Sequence, residues 1–461
     1  MRIAHGQVSI IGSKVMVTEL KGRKVMVIGL GKTGVAAARF LVERGASTVL
    51  TDERPVARLG EALGNLVCRF ELKPHAPESL VGVDLVVPSP GVPPTNAILK
   101  AAAERGIPVM SEVELAFRFL KNPMIAVTGT NGKTTTVTLL GQVLAGSGKR
   151  VFVGGNIGDP LIGYVNGPQE EDLVVVEVSS FQLLYTELFR PRVAVLLNTT
   201  TDHIDYHGSF GEYRAAKERI FMNQGPGDLA VLNADEKYSA SLAKRVRADV
   251  RFFSSKVKAT PGMFLNGREL RLVESEEEES YAVDIVRIPG AHNIENVMAV
   301  IIAARFCGVS REAVIRTVGE FKGISHRIEF AGEKGGVAFY DDSKGTNVGA
   351  VMRALESFDR PVILLLGGRD KGGDFESLTN LIRERVKEVV IFGEARDVIR
   401  RKIDGCTKTC LASTLGEAVR VAYSHAMRGD VVLLSPGCSS FDEFSDYAER
   451  GKTFQEVVKG L

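Results

Sequence analysis

Residues 125–136 of the chain read Ile-Ala-Val-Thr-Gly-Thr-Asn-Gly-Lys-Thr-Thr-Thr. An apolar run, a glycine-containing turn and a Gly-Lys-Thr segment are typical of a phosphate-binding strand–turn–helix, although the spacing between Gly129 and Gly132 is shorter than usual. Backbone N–H groups would meet the anion, Lys133 would reach the terminal phosphates and the Thr134 hydroxyl would bind Mg²⁺. The stretch therefore predicts an ATP site, and a glycine-rich turn with a surface lysine is the minor alternative.

Outward from this loop, short apolar runs alternate with amphipathic segments along the whole chain. The clearest runs are Val25–Gly29, Thr48–Asp52, Leu85–Val87, Met124–Gly129, Leu173–Val178, Val193–Asn198, Val362–Gly368, Val389–Gly393 and Val431–Pro436. Continuous Val/Ile/Leu runs indicate strands buried on both faces, and hence parallel sheets covered by helices. The pattern predicts an α/β protein.

The length of 461 residues suggests about three domains, at roughly one per 150 residues. Seams are predicted near 107–122 and 321–328, because the strand–helix pattern restarts after each. We therefore expect three domains in series. They are a Rossmann-like domain (1–112), a central P-loop ATPase-type domain with a parallel sheet (113–323) and a second Rossmann-like domain (324–461).

Two short segments interrupt the strand–helix pattern of the central domain. Residues 260–281 are predicted to contain a β-hairpin, because Asn266-Gly267 is a turn signal. The acidic run 276–279 is interpreted as a solvated loop.

Composition excludes several classes of protein. Lys plus Arg is 58 and Asp plus Glu is 56, which gives no electrostatic reason to expect nucleic acid or an anionic membrane as partner. The five cysteines are scattered and odd in number, which favours reduced thiols. Neither a signal peptide nor a membrane-spanning run is found, so a cytoplasmic protein is expected.

Glu177 stands at the end of a predicted buried strand, in Leu-Val-Val-Val-Glu-Val-Ser-Ser at 173–180. Beside a phosphate loop, a carboxylate at a strand end is expected to hold the nucleotide's Mg²⁺ rather than to be a capped structural group. The next strand leads into Thr-Thr-Thr-Asp-His-Ile-Asp-Tyr-His at 199–207. His203 is the better candidate ligand, and His207 is expected to be a hydrogen-bonded loop residue.

A helix is predicted to start at about Phe210, because Ser-Phe-Gly-Glu at 209–212 is a capping box. Lys217 falls on the apolar side of this helix. The stripe consists of Phe210, Tyr213, Lys217, Ile220 and Phe221. A lysine there either extends its ammonium to solvent from the edge of the stripe or is desolvated, with a lowered pKa and a reactive neutral amine. Both interpretations fit the pattern.

Residues 25–34, Val-Met-Val-Ile-Gly-Leu-Gly-Lys-Thr-Gly, match the dinucleotide-binding fingerprint, and Asp52 closes the next strand 18 residues after Gly34. The fingerprint requires a diphosphate at a helix N-terminus and a polar partner on the second strand. NAD and a UDP-sugar both satisfy it, with Arg54 as a phosphate contact. The turn Ser89-Pro90-Gly91 is expected to line the same crevice.

Polar clusters also follow apolar runs in the last third of the chain. They occupy 340–347, 367–371 and 434–441. Since sites collect at strand ends in α/β proteins, Lys344, Lys371 and Ser440 are candidates for binding a substrate that carries carboxylates.

Together these motifs resemble those of the Mur ligases along essentially the whole chain. Residues 128–135 resemble the family's ATP loop, 177–183 its metal-glutamate strand and His203 its metal histidine. Tyr-Arg-Ala-Ala-Lys at 213–217 resembles the segment whose lysine is carbamylated in the family. The resemblance thus implies that Lys217 carries CO₂ and acts as a carboxylate.

The resemblance also implies which residues hold each ligand. For ATP these are Gly129, Thr130, Asn131, Gly132, Lys133, Thr134, Thr135, Asn293, Asn296, Arg327 and Asp342. For a UDP-linked substrate they are Gly29, Gly31, Lys32, Thr33, Asp52, Glu53, Arg54, Ser89, Gly91, Asn156, Ser179 and His203. For D-glutamate they are Lys344, Thr346, Lys371, Ser440 and Phe441. Two Mg²⁺ ions would be bound by Thr134, Glu177, His203 and carbamylated Lys217, and the catalytic residues would be Lys133, Glu177, His203 and Lys217.

The D-glutamate-adding branch is suggested by residues 342–347 and 435–441, with Gly345 where an alanine is expected. The Asp-Asn-Pro-Arg motif of diaminopimelate-adding relatives does not occur in the sequence. The implied activity is ATP-dependent ligation of D-glutamate to UDP-N-acetylmuramoyl-L-alanine through an acyl phosphate, in peptidoglycan precursor synthesis. A cytoplasmic monomer with small-molecule partners is expected.

Three other functions are each compatible with part of the sequence. A nicotinamide-dependent oxidoreductase would use the 25–34 fingerprint but would leave Lys133, Glu177 and Lys217 without a role. A nucleotide-regulated binding protein would lack ligase chemistry. A sister ligase such as a folylpolyglutamate synthetase would not need the diphosphate crevice of the first domain.

Overall fold

The computed structural model describes residues 19–54, 70–274, 277–370 and 372–461. The chain forms two compact units. Within the described residues, the first unit runs to Ala282 and includes Glu295–Thr317, and the second comprises Val283–Ile294 and Val318–Leu461. Lys371, a candidate D-glutamate contact, lies outside the described residues.

The first unit begins with a parallel sheet of order β3-β2-β1-β4. Its strands are β1 (Lys24–Ile28), β2 (Ser47–Thr51), β3 (Phe70–Leu72) and β4 (Leu85–Pro88), and its helices are α1 (Lys32–Glu43) and α2 (Ala97–Glu104). Val25 and Val27 enter one apolar core and Met26 and Ile28 another. Strand β1 is thus buried on both faces, as its continuous apolar run predicts.

The same unit contains a nine-stranded sheet of order β13-β12-β11-β10-β9-β8-β5-β7-β6. Its strands are β5 (Met124–Thr128), β6 (Val151–Gly155), β7 (Leu173–Glu177), β8 (Val193–Leu196), β9 (Leu229–Asn233), β10 (Asp249–Ser254), β11 (Gly262–Asn266), β12 (Glu269–Glu274) and β13 (Glu277–Ala282). Strands β5 to β11 pair in parallel, whereas β11, β12 and β13 pair antiparallel. The predicted hairpin at Asn266-Gly267 is confirmed.

Helices precede, connect and follow the strands of this sheet. They are α3 (Glu112–Phe117), α4 (Lys133–Gly146), α5 (Leu161–Val165), α6 (Ser180–Leu184), α7 (Ile204–His207), α8 (Phe210–Glu218), α9 (Ser239–Ala243), α10 (Ala291–Phe306) and α11 (Arg311–Glu320). None of the helices within the described residues is long and apolar enough to cross a membrane.

The acidic run is not a solvated loop over its described residues. Glu276 lies outside them, and the rest of the run belongs to β13, which pairs with β12. Glu279 is hydrogen-bonded by Arg305, and Glu278 accepts a 3.1 Å hydrogen bond from Arg271. These arginines offset the acidic charge and allow the strand to form, which the local sequence does not reveal.

The second unit has a sheet of order β14-β15-β19-β16-β17-β18, parallel except between β14 and β15. Its strands are β14 (Glu329–Lys334), β15 (Val337–Asp341), β16 (Val362–Gly367), β17 (Val386–Phe392), β18 (Lys408–Leu411) and β19 (Val431–Gly437). Its helices are α12 (Val348–Glu356), α13 (Thr379–Arg385), α14 (Arg396–Lys402), α15 (Leu415–His425) and α16 (Tyr447–Lys459). Three largely parallel sheets in series confirm the predicted α/β class.

Candidate active site

The phosphate loop leaves β5 at the carboxyl end of the nine-stranded sheet, between β7 and β8. Gly132 precedes the first residue of α4 and has a φ of 83°. A Cβ at this position would lie 2.3 Å from Asn296 Oδ1. Glycine is therefore required both for the backbone conformation and for the close approach of Asn296. Asn296, predicted to contact ATP, lies against the loop.

Glu177 connects three segments at this end of the sheet. Its carboxylate accepts hydrogen bonds from Thr134 Oγ1 (2.8 Å) and from Asn156 Nδ2 (2.9 Å), and its side chain is buried. Lys133 Nζ donates to the carbonyl oxygens of Gly129 (2.9 Å) and Thr130 (3.0 Å). The adjacent hydroxyl and carboxylate oxygens of Thr134 and Glu177 fit Mg²⁺, which prefers such hard donors.

Lys217 is buried beside the phosphate loop. Helix α8 begins at Phe210 as predicted, and it places Lys217 Nζ 2.8 Å from the carbonyl oxygen of Gly129 and 4.6 Å from the Tyr213 ring centroid. Burial, and then the nearby Lys133 ammonium, hold the pKa of Lys217 well below its usual value. Only 2 % of the surface of Lys217 is exposed. Of the two interpretations of this residue, the structure therefore supports the desolvated lysine.

The two histidines differ in their surroundings. His203 has a φ of 51° and a side chain that is 46 % exposed, and its ring lies 4.7 Å from that of Phe181. Its described contacts are with Asp202, Phe181 and Tyr213, and they do not join it to Glu177. His207 is buried and 3.0 Å from Ser180 Oγ. It is hydrogen-bonded as predicted, but it ends α7 rather than lying in a loop.

The diphosphate fingerprint forms the tight turn between β1 and α1. A Cβ on Gly34 would lie 2.0 Å from the carbonyl oxygen of Gly29, so the helix can approach the turn only with glycine there. Asp52 accepts a 2.6 Å hydrogen bond from the backbone N–H of Leu30. Hydrogen bonds from Arg54 hold the pKa of Asp52 well below its usual range. The turn, a fixed carboxylate and an arginine thus lie together at one strand end.

The other candidate UDP contacts lie on several segments of the first unit. Ser89 Oγ donates to the carbonyl oxygen of Gly29 (2.7 Å), and Lys32 Nζ donates to that of Gly158 (2.7 Å). Ser179 caps α6 through the backbone N–H of Gln182. Thr33 is half-buried, and the exposed candidates are Gly31, Lys32, Glu53, Arg54, Gly91 and Asn156.

His75, for which no role was predicted, also lies beside this crevice. Its ring is 3.2 Å from Thr51 Oγ1 and 2.9 Å from Asn96 Nδ2, and 3.6 Å separates it from Glu53. No motif surrounds His75 in the sequence, so only its spatial neighbours reveal it.

In the second unit, Asp342 follows β15 and is buried. It accepts a 2.8 Å hydrogen bond from Ser435 Oγ, and burial raises the pKa of its carboxyl to about 7. A Cβ on Gly345 would lie 2.4 Å from Asp342 Oδ2, which accounts for glycine where an alanine was expected. Arg327 acts electrostatically on Asp342. Asn293 Nδ2 donates to the carbonyl oxygen of Pro289 (2.6 Å) in the same unit.

The candidate D-glutamate residues lie on the loops after β15 and β19. Lys344 Nζ lies 3.6 Å from the ring centroid of Tyr447, a residue that the sequence analysis did not single out. Ser440 is buried, and Thr346 is half-buried. Phe441 is 59 % exposed.

Arg450 is a second residue that the sequence analysis missed. It is fully buried and donates to Ser343 Oγ (2.9 Å), to the Ser343 carbonyl oxygen (2.8 Å) and to the Cys438 carbonyl oxygen (3.1 Å). The planar guanidinium thereby joins the loops that follow β15 and β19. An arginine in a polar helix is ordinarily interpreted as solvated, so the sequence carried no signal for this role.

Family models match most of the chain. Residues 23–111 match the Mur ligase MurD-like N-terminal domain, 127–304 the Mur ligase middle domain, and 326–438 the Mur ligase glutamate ligase domain.

Curated proteins and solved structures agree with these models. UDP-N-acetylmuramoylalanine–D-glutamate ligase of Syntrophus aciditrophicus is 55% identical over 96% of this chain and 99% of its own length. That of Geotalea daltonii is 46% identical, covering 96% and 98%. MurC of Thermotoga maritima shares the fold, with a TM-score of 0.58, 21% identity and coverage of 95% and 99%. The chain therefore belongs to the Mur ligase family and has a MurD-like N-terminal domain.

Proposed function

We propose that this chain ligates D-glutamate to UDP-N-acetylmuramoyl-L-alanine in peptidoglycan synthesis, in an ATP-dependent reaction. The observation that carries the proposal is the grouping of Lys133, Thr134, Glu177 and buried Lys217 in one unit with a diphosphate turn. Relatives that are 43–55% identical over nearly the whole chain are named as this ligase.

The chemistry follows from the low reactivity of a carboxylate toward an amine. The γ-phosphoryl group of ATP passes to the alanyl carboxylate and gives an acyl phosphate and ADP. The amine of D-glutamate then attacks the acyl carbon, and phosphate leaves through a tetrahedral intermediate. Lys133 binds the terminal phosphates and offsets the charge that develops during phosphoryl transfer.

Thr134, Glu177, His203 and carbamylated Lys217 are the residues that we propose for two Mg²⁺ ions, which would neutralise phosphate charge when bound. The low pKa of buried Lys217 supports a neutral amine able to take up CO₂. We also propose that the chain has three domains, at 1–112, 113–323 and 324–461. We further propose that it acts in the cytoplasm as a monomer.

Each substrate has its own set of proposed contact residues. The residues around the β1–α1 turn hold the UDP-linked substrate, with Asn156 and Ser179 nearer its reacting end. Asn293, Asn296, Arg327 and Asp342 complete the nucleotide site. Lys344, Thr346, Lys371, Ser440 and Phe441 hold the two carboxylates of D-glutamate.

The test is ADP release with UDP-N-acetylmuramoyl-L-alanine, ATP and Mg²⁺, comparing D-glutamate with L-glutamate, L-lysine and diaminopimelate. Release that depends on D-glutamate alone is expected. The Lys133→Ala variant should lose it, whereas Lys121→Ala, which alters an exposed lysine before β5, should keep it. ADP release with a different amino acid would assign the chain to another branch of the Mur ligase family. Absence of ADP release with all four amino acids would overturn the ligase assignment.

A further inference from the structure

A cluster of metal-ligating side chains lies in the second unit, away from the substrate loops. It consists of Glu388 on β17, Cys410 on β18 and His425 at the end of α15, and the ligand atoms all lie within 4.8 Å of one another. Glu388 is near the amino end of β17, whereas the substrate loops follow the carboxyl ends of the parallel strands. The cluster is therefore not part of the proposed ligase site.

The three side chains converge on one carboxylate. His425 Nδ1 and Glu388 Oε1 lie 2.9 Å apart, and Cys410 Sγ lies within 4.8 Å of the ligand atoms of both residues. Glu388 is opposite Lys408 in the strand register, so Cys410 projects from the same face of the sheet two residues later. His425 is the last residue of α15, where the carbonyl groups carry partial negative charge and favour a cation.

The donor set determines which ion would fit. A thiolate, an imidazole and a carboxylate suit Zn²⁺, whereas Mg²⁺ prefers oxygen donors alone. Three protein ligands leave a fourth position for water. Lys408 Nζ lies 3.0 Å from Glu388 Oε2, the oxygen that His425 does not contact. The Lys408 ammonium orients the Glu388 carboxylate, but its positive charge also repels a cation bound there.

We propose that Glu388, Cys410 and His425 form a binding site for Zn²⁺ or a similar thiol-binding divalent cation. On binding, the Cys410 thiol and the Nδ1 of His425 each release a proton to solvent; the His425 ring takes a proton at Nε2 if it was neutral, so that it binds as the neutral imidazole through Nδ1. The carboxylate of Glu388 then exchanges its hydrogen bond with His425 for a bond to the ion. The alternative is a metal-free cluster in which the same donors satisfy a buried glutamate.

The experiment uses the full-length chain, reduced and freed of metal with a chelator, and titrated with Co²⁺. We expect one equivalent to produce the ultraviolet absorption of a cobalt–thiolate bond, and Zn²⁺ but not Mg²⁺ to abolish it. Cys410→Ser should remove the absorption. His425→Gln should weaken Zn²⁺ binding by about tenfold or more, since even indirect contacts to a metal are worth that much.

Two further variants sharpen the test. Cys406→Ser is the matched control, because Cys406 Sγ contacts the carbonyl oxygen of Asp404 rather than the cluster. The cobalt–thiolate absorption of this variant should equal that of the wild-type chain. Lys408→Met should strengthen Zn²⁺ binding several-fold, a gain that a damaged fold would not produce. Absence of the cobalt absorption in the wild-type chain, or its persistence in Cys410→Ser, would overturn the proposal.

Discussion

At the scale of single residues, the burial of Lys217 leads to the sharpest prediction. Lys217→Ala should lower kcat by roughly 10- to 100-fold, as expected when a group that orients a metal is lost. Added short-chain carboxylic acids should restore part of the activity, because they can replace the oxygens of the proposed carbamate. Lys237→Ala, at an exposed lysine, should show neither effect. Full activity of Lys217→Ala without added acid would contradict the carbamate.

Gly345 gives a second prediction at this scale. In Gly345→Ala, the new Cβ would come within 2.4 Å of Asp342 Oδ2 and displace the hydrogen bond from Ser435. The free energy of unfolding should fall by about 1 kcal/mol. Gly349→Ala is the control, because its Cβ would meet only an ordinary contact at 3.5 Å within α12. A denaturant midpoint of Gly345→Ala equal to that of the wild-type chain would show that Asp342 adjusts without cost.

The elements themselves were predictable where the signals are local. The start of α8 at Phe210 follows from Ser209, whose side chain accepts a hydrogen bond from the backbone N–H of Glu212. Strand β13 was missed because its charges are offset by arginines elsewhere in the chain.

Helix α3 carries a buried acid that should make stability depend on pH. Glu112 accepts a 2.7 Å hydrogen bond from the backbone N–H of Ile162 on α5, and burial raises its pKa to about 7. Between its usual value of 4.5 and about 7, the folded chain holds this proton while the unfolded chain releases it. The free energy of unfolding should therefore fall as pH rises through this window, by up to about 3 kcal/mol.

The Glu112→Gln variant tests this prediction, because glutamine does not titrate. Urea unfolding of the first unit at pH values below and above the window should show a smaller loss of stability in Glu112→Gln than in the wild-type chain. Glu104→Gln changes an exposed glutamate at the end of α2 and should behave as wild type. Equal losses in all three proteins would mean that Glu112 is ionised throughout.

At the scale of the whole molecule, each compact unit has its own apolar cores. Calorimetry should therefore show two unfolding transitions rather than one. The proposed UDP-substrate residues lie in the first unit. UDP-N-acetylmuramoyl-L-alanine should therefore raise the temperature of that unit's transition alone. At a free concentration one hundred times its Kd, the substrate should increase the free energy of unfolding of this unit by about 2.7 kcal/mol. A single transition that shifts as one would contradict independent unfolding.

Local sequence patterns were sufficient for the α/β class, the phosphate loop, the diphosphate turn and the candidate ligands at strand ends. These features depend on side-chain periodicity, glycine conformations and helix caps, which act over a few neighbouring residues. Tertiary packing alone decided that Lys217 is desolvated, that Gly345 must lack a Cβ, and that Arg450 joins two loops. Those properties arise from groups distant in sequence, because burial and hydrogen bonding depend on which segments the fold brings together.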